Sequence, residues 1–379
     1  MAVAPKTVMI IGLGKLGGPV LDLLAMRYPM HRFVCIARDA HALGLRANLS
    51  RYLAAQWGSY PRVHTAACDI RDVEATVACL SAHAPDVLFN ATTSFPWWRI
   101  ADLPGDAATL AEKAGPGMWS AVDCLLPFRL TEAIAASGLR PVFVNGCYPD
   151  LTNAFLAGRD GAPKLGIGNL SNLVPGLRLA FADELGVEAN AVDVRLVAHH
   201  YVSWNAPTSA GAAGAPFHLT INHPGGKLTF EGPNDDSCFA LLRRRASRTR
   251  GLAGLGVTIG SAATVLASIL EGSDALLHCP GADGLPGGYP VRVSDSGAVQ
   301  LDLGPGLEYE TAVSINRAAQ RFDGTESVKP GLVVPTDRAR TAFQQIVGET
   351  LPDVSYENVG EVASLTLDRL NARYGLGVR

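Results

Sequence analysis

The sequence predicts an α/β fold: an N-terminal doubly wound parallel sheet, followed by a C-terminal mixed α+β domain. Three observations carry this. Short apolar runs alternate with helical patterns over residues 7–148. A glycine-rich turn joins the first run to the first helix. From residue 150 the texture changes to longer strands, hairpin turns and connections rich in Gly and Pro.

In the first part the strand candidates are "VMII" (8–11), "RFVCIA" (32–37), "VHTAAC" (63–68), "DVLFNA" (86–91) and "PVFVNG" (141–146). Helical patterns lie between them near 15–27, 71–83 and 119–137. Such alternation implies parallel strands with right-handed crossovers. Beyond 150 a helix is expected at 173–185, then the strand "VDVRLVAHHYVSW" (192–204) and a loop over 205–215. "FHLTINH" and "KLTFEG" form a hairpin through "PGG", and a long helix follows at 258–271. "YPVRVSDSGAVQLDL" (289–303) reads as a second hairpin, and two helical patterns close the chain near 336–350 and 358–374. The domains expected are 1–149 for a dinucleotide, 150–325 for substrate, and a helical extension over 326–379.

Composition excludes several classes. The 379 residues are 48% hydrophobic, enough for a sizeable core in two or three domains. Charged residues make up 18% and the net charge is −3, which argues against nucleic-acid binding. The basic run "LLRRRASRTR" (241–250) reads as a solvated or anion-facing helix. Seven scattered cysteines, an odd number with no CxxC pair, argue against a disulfide framework and a zinc site. The N-terminal "MAVAPKT" lacks a signal-peptide core, and no run approaches the ~18 apolar residues of a span. A cytoplasmic protein with no membrane partner and no metal is expected.

Gly12, Gly14 and Gly17 form GxGxxG between a strand and a helix. The first permits the tight turn, the second lets backbone approach a pyrophosphate, and the third lets the helix pack on the sheet. Phosphates then sit at the positive helix end, held by Gly12, Gly14, Lys15, Leu16 and Gly17. This is the fingerprint of a Rossmann dinucleotide site. The second strand ends "CIARD". Arg38 suits a 2′-phosphate and favours NADP; Asp39 serves NAD if Arg38 instead stacks on adenine. Asp69 could reach the adenine, and Asn90, Ala91 and Thr92 end the fourth strand beside the nicotinamide path.

Past residue 115 the chain resembles the lactate/malate dehydrogenase superfamily, which includes the NAD-dependent family-four glycosidases. "PGMWSAVDCLL" (116–126), "VFVNGCYPDLTN" (142–153), "SAATVLASIL" (261–270) and "GLPGGYPVRVSDSGAVQLDL" (284–303) carry the dehydrogenase likeness. "NLVPGLRLAFADELGV" (172–187) with "HHYVSW" (199–204) is closer to the glycosidases. The likeness covers residues 7–325 and implies the fold and a bound dinucleotide; a homodimer or tetramer acting on a small molecule is expected. It stops short of the substrate. Trp119 and Ser120 stand where the dehydrogenases place a carbonyl-polarising arginine, Asn172 stands near the place of their aspartate, and Ser171 and Tyr201 stand near the glycosidase metal ligands.

Hydride transfer to a carbonyl needs a proton donor. His199, His200 and Tyr201 are the candidates. The spacing carried over from the dehydrogenases selects His200, with Tyr201 facing substrate and Asn172 holding the imidazole. On a regular strand His199 and His200 would face opposite ways. Asn145 could bind a substrate oxygen, Arg178 a carboxylate, and "TSFPWW" (93–98) could cover the site. The expected activity is an NADP- or NAD-dependent dehydrogenase or reductase acting on a hydroxy/keto metabolite. The rivals are an imine reductase, suggested by the saccharopine-reductase-like stretch 69–93, glycosidase-type lyase chemistry, and a non-catalytic dinucleotide sensor.

Overall fold

In the computed structural model, which describes residues 4–209 and 211–377, the N-terminal sheet has six parallel strands. They are β1 (Thr7–Ile11), β2 (Arg32–Ala37), β3 (Arg62–Ala67), β4 (Val87–Asn90), β5 (Val142–Asn145) and the short β6 (Leu165–Gly166), in the order β3-β2-β1-β4-β5-β6. Both faces of β1 are covered: Val8 and Ile10 enter one core, Met9 and Ile11 the other. Strands buried on both faces read as unbroken apolar runs, which is why they were legible. The connecting helices are α1 (Gly17–Arg27), α2 (Ala40–Gln56), α3 (Val73–His83), α4 (Asp106–Ala114), α5 (Ser120–Ser137) and α6 (Pro149–Leu156). Strand order reverses between β1 and β4, so a crevice opens at their C-terminal ends.

The second unit begins with α7 (Val174–Leu185), β7 (Asp193–Ala198) and α8 (His200–Ser209), followed by β8 (Phe217–His223) and β9 (Gly226–Gly232). Next come α9 (Ser237–Arg245), α10 (Gly256–Glu271), β10 (Leu277–Pro280), β11 (Gly288–Val293), β12 (Val299–Leu301) and α11 (Tyr309–Ala319). Its sheet is antiparallel, ordered β10-β11-β7-β8-β9 with β12 on β11, and both expected hairpins are present.

One expectation is corrected here. The strand over 192–204 ends at Ala198, and residues 200–209 are helical rather than strand and loop. Val202 and Ala206, four apart and fully buried, give this segment a helical inner face that outweighs the strand preference of Tyr and Val.

The tail is not all helix. It contains a three-stranded antiparallel sheet of β13 (Thr325–Lys329), β14 (Leu332–Pro335) and β15 (Val354–Ser355), with α12 (Asp337–Val347) and α13 (Val359–Tyr374). Phe343, Ile346 and Leu370 join Met118, Val122 and Phe128 in one core, so the tail packs against the first unit. Among the described residues, one helical stretch, Gly251–Glu271, is long and apolar enough to cross a membrane. It packs on α1 and buries Val265, Leu266 and Ile269.

Candidate active site

The glycine turn is built as its chemistry requires. Gly12 has φ +88°, and a Cβ there would lie 2.6 Å from Thr92 Cγ2. A Cβ on Gly17 would lie 2.0 Å from the Gly12 carbonyl oxygen and 2.9 Å from Ala91 Cβ. Over Gly14, by contrast, nothing comes within 4 Å. Two glycines are therefore forced by packing, and the third faces open space beside the start of α1, whose first turn has no side-chain cap. Uncapped amides at a helix start are an anion site. Leu16 flanks the turn against Gly146, and Lys15 Nζ lies 6.0 Å from the Trp98 ring centre. Asn90 accepts from Thr92 N and Oγ1 at 3.0 and 2.6 Å, while Ala91 N donates to the Ile11 carbonyl at 2.9 Å. Residues 90–92 thus line the crevice next to the turn.

At the end of β2, Arg38 and Asp39 are both exposed. Asp39 accepts from Ala42 N at 3.0 Å and caps α2. Arg38 has no such duty. Asp69, at the end of β3, pairs with Arg71, and that hydrogen bond, ahead of the charges of Arg71 and Arg38, holds its carboxyl below the usual range.

The histidine pair gathers on a residue the sequence did not single out. Asp323 is buried, and its Oδ2 lies 3.0 Å from His200 Nδ1, 2.9 Å from His199 Nδ1 and 3.3 Å from the Tyr148 hydroxyl. His200 donates to it in line; His199 sits out of line for a good hydrogen bond. Because β7 has ended by Ala198, the strand alternation does not apply, and both rings turn towards one carboxylate.

Burial works against a charged His200, but the Asp323 carboxylate, helped by Asp150 and Asp123, outweighs it and raises the imidazole to about 8. Burial likewise opposes the Asp323 charge, yet the two histidines hold that carboxyl well below its ordinary value. The pair is ionic at neutral pH. Engaging Nδ1 leaves His200 Nε2 for a substrate.

Asp323 reaches this position through two close backbone approaches. A Cβ on Gly115 would lie 2.5 Å from the Asp323 carbonyl carbon, and one on Gly117 would lie 2.6 Å from that of Gly324. Tyr148 adopts φ +36°, ψ 60°, a conformation that costs a bulky residue of order 1–3 kcal/mol. It places the ring edge against His200 at 5.3 Å. Trp204, four residues after His200 on α8, stacks on it at 6.4 Å, and Trp97 and Trp98 extend this aromatic wall. Phe95 instead packs into the core against Trp119. Asp123 and Asp150 complete the cluster; burial pushes Asp123 up to about 7 and Asp150 upward.

Several expected residues are elsewhere. Asn172 does not hold His200: its Nδ2 donates to Thr258 Oγ1 at 3.0 Å. Tyr201 does not face this cluster; one helical step round from His200, it packs on Phe322 and the second unit's core. The Asn145 amide is saturated by Cys147, Thr152, Asn153 and Asn90, so it braces the ends of β4 and β5 instead of offering a free donor. Arg178 donates to the Val192 carbonyl. Trp119 and Ser120, at the place of the dehydrogenase arginine, are buried and leave Nε1 and Oγ without partners. Among the described residues no group of His, Cys, Asp and Glu fits a metal ion. The one sequence signal for Asp323 is the Asp-Gly turn before a short strand, which marks a bend and no function.

The sequence matches no family model and none of the curated proteins. Its fold is similar to solved dehydrogenase structures. Malate dehydrogenase from Plasmodium falciparum aligns over 89% of this chain and 99% of its own, with TM-score 0.54 and 11% identity. Malate dehydrogenase from Cryptosporidium parvum aligns over 84% and 98%, with TM-score 0.52 and 12% identity. Lactate dehydrogenase from Eimeria maxima, solved with NADH and oxamate, aligns over 85% and 92%, with TM-score 0.51 and 14% identity. At these identities the likeness is one of fold alone, the architecture of those lactate and malate dehydrogenases.

Proposed function

We propose that this protein is an NADP-preferring oxidoreductase that transfers a hydride between a nicotinamide cofactor and a small hydroxy/keto metabolite, with His200 as acid/base. The His200–Asp323 pair carries this reading. A positioned, charged imidazole on the same chain as an open glycine cradle is what reduction of a carbonyl requires. The residues fit a dinucleotide: Gly12, Gly14, Lys15, Leu16 and Gly17 would hold its pyrophosphate, Arg38 and Asp69 its adenosine end, and Asn90, Ala91 and Thr92 would flank the nicotinamide. When bound, that group supplies or accepts the hydride.

The chain's own part is proton management. Asp323 fixes the ring of His200 and supports its charge. Nε2 donates to the oxygen that becomes a hydroxyl, and takes that proton back in the oxidative direction. Tyr148 and Trp204 confine the ring, and the indoles 97, 98 and 204 shield the site from water. Asp323 supplies an anionic partner for the imidazole, which speaks against a non-catalytic sensor. An imine in place of the carbonyl is the second reading, favoured by the lack of an arginine or lysine partner for any carboxyl of the cluster among the described residues.

The deciding experiment follows NADPH consumption with a panel of keto and imino compounds, comparing wild type with His200→Ala. Absence of nicotinamide binding by calorimetry would end the proposal. We also propose a cytoplasmic homodimer built on the exposed face of α2, where Leu45, Leu49, Tyr52 and Trp57 are 60%, 57%, 71% and 77% exposed.

A further inference from the structure

Among the described residues no arginine or lysine pairs with the carboxyls beside His200, whose imidazole is itself engaged by Asp323. Asp123 lies half-buried on α5, and among the described residues its side chain has one hydrogen-bond partner, the Cys147 thiol, 3.9 Å from Oδ1; that thiol also donates to the Asp123 carbonyl at 3.3 Å. Ser120 stands three residues earlier, on the same face of the helix. It is fully buried, and its Oγ has no hydrogen-bond partner. Asp150, also fully buried, has Oδ1 without a partner. The other groups facing His200 are Asp323, His199 and Tyr148.

The nearby cations lie on the outer rings: Lys15 Nζ 6.0 Å from the Trp98 ring centre, and Arg250 Cζ 5.5 Å from that of Trp204, with its Nη2 bound to the Trp204 carbonyl at 2.7 Å. A substrate carboxylate placed beside His200 would therefore be desolvated among three carboxyls, with the imidazolium already paired to Asp323 and no guanidinium beside it. A cation meets the opposite surroundings: carboxyl and hydroxyl oxygens for charge-assisted hydrogen bonds, and indole faces for cation–π contact.

We infer that the carboxyl cluster around His200 binds a substrate carrying a protonated amine close to its reacting carbon, with Asp123 as the counter-ion and Ser120 as a second acceptor. The inference rests on His200 marking the reacting end of the proposed oxidoreductase site, and its test needs neither cofactor nor turnover. n-Butylammonium, n-butyrate and 1-butanol are titrated against the whole protein at constant ionic strength. Indole fluorescence reads occupancy through Trp97, Trp98 and Trp204.

Saturable quenching by n-butylammonium is expected, with at least ten-fold weaker binding of the other two and a loss of ten-fold or more in Asp123→Asn. NADPH affinity, measured in parallel, should be equal in wild type and Asp123→Asn. Tighter binding of butyrate, equal binding of butanol, no ammonium binding, or full ammonium affinity in Asp123→Asn each overturns the inference. If Asp123→Asn does not fold, the comparison of the three probes on wild type decides alone. A protein that binds n-butylammonium but no dinucleotide would retain the amine site and lose the oxidoreductase reading.

Discussion

His200 Nδ1 and Asp323 Oδ2 stand 3.0 Å apart although 123 residues separate them in the chain. The pair joins the second unit to the turn that leads into the C-terminal sheet, two residues before β13. Through it the tail becomes part of the site.

The pair sets a pH dependence. His200 is raised from its ordinary 6.5 to about 8, so it keeps its proton up to about pH 8. Reduction, which consumes that proton, should be steady below this pH and fade above it; oxidation should gain over the same interval. Asp323→Asn removes the supporting charge and should move both inflections down towards or below ~6.5. The raised value also means that this group stabilises the fold fully below ~6.5, and that its contribution is lost as pH rises through about 8. Profiles of kcat/KM for the two enzymes check the first point, and urea melts at several pH values the second. An inflection unmoved in Asp323→Asn refutes the assignment.

Turnover should depend on the ring itself. His200→Ala is expected to lose about 10²–10⁴-fold in kcat with unchanged NADPH affinity. Tyr201→Phe should be nearly neutral, because that side chain packs on Phe322. Steady-state kinetics with calorimetric NADPH titration separates the two. Near-normal turnover in His200→Ala would shift attention to His199.

Removing Asp323 altogether should destabilise more than neutralising it. Asp323→Ala leaves His199, His200 and Tyr148 facing a void, and truncating one partner of a buried pair costs about 3–5 kcal/mol. Asp323→Asn keeps the volume and a hydrogen-bonding group and should cost less. Chemical denaturation orders them; equal midpoints would contradict the burial argument.

The glycines should separate folding from binding. Gly17→Ala drives a methyl to 2.0 Å from a backbone oxygen and should cost roughly 1–3 kcal/mol of stability. Gly14→Ala meets nothing within 4 Å, so the melting temperature should hold while NADPH affinity falls at least ten-fold. Arg38→Ala should remove the preference for NADPH over NADH. Calorimetry with both cofactors reads all three variants.

The α2 face offers a test of assembly. Sedimentation at micromolar concentration should show a dimer, and Leu49→Glu with Tyr52→Glu should yield a folded monomer. A monomeric wild type removes the proposal.

Local pattern was enough to establish the parallel strands, the glycine turn, both hairpins and the two tail helices. Each of these is written in neighbouring residues: apolar runs buried on both faces, glycines where a Cβ would collide, turn residues between alternating strands. The spacing of a resembling family pointed to His200 as the candidate proton donor, but its partner was out of reach of such reasoning. Asn172 lay at the resembling position, and its amide goes to Thr258. Asp323 has no local signature. It becomes the partner because Gly115 and Gly117 let a distant backbone turn approach, and because the core shared by α5, α12 and α13 holds that turn there. The end of β7 at Ala198 was equally hidden, since Tyr201 and Val202 favour strand on their own and only burial of Val202 and Ala206 makes the segment helical. The sequence by itself determined the sheet and the glycine turn, whose causes are short-range sterics and periodicity. Tertiary packing alone decided which carboxylate meets which imidazole, because that depends on contacts between segments more than a hundred residues apart.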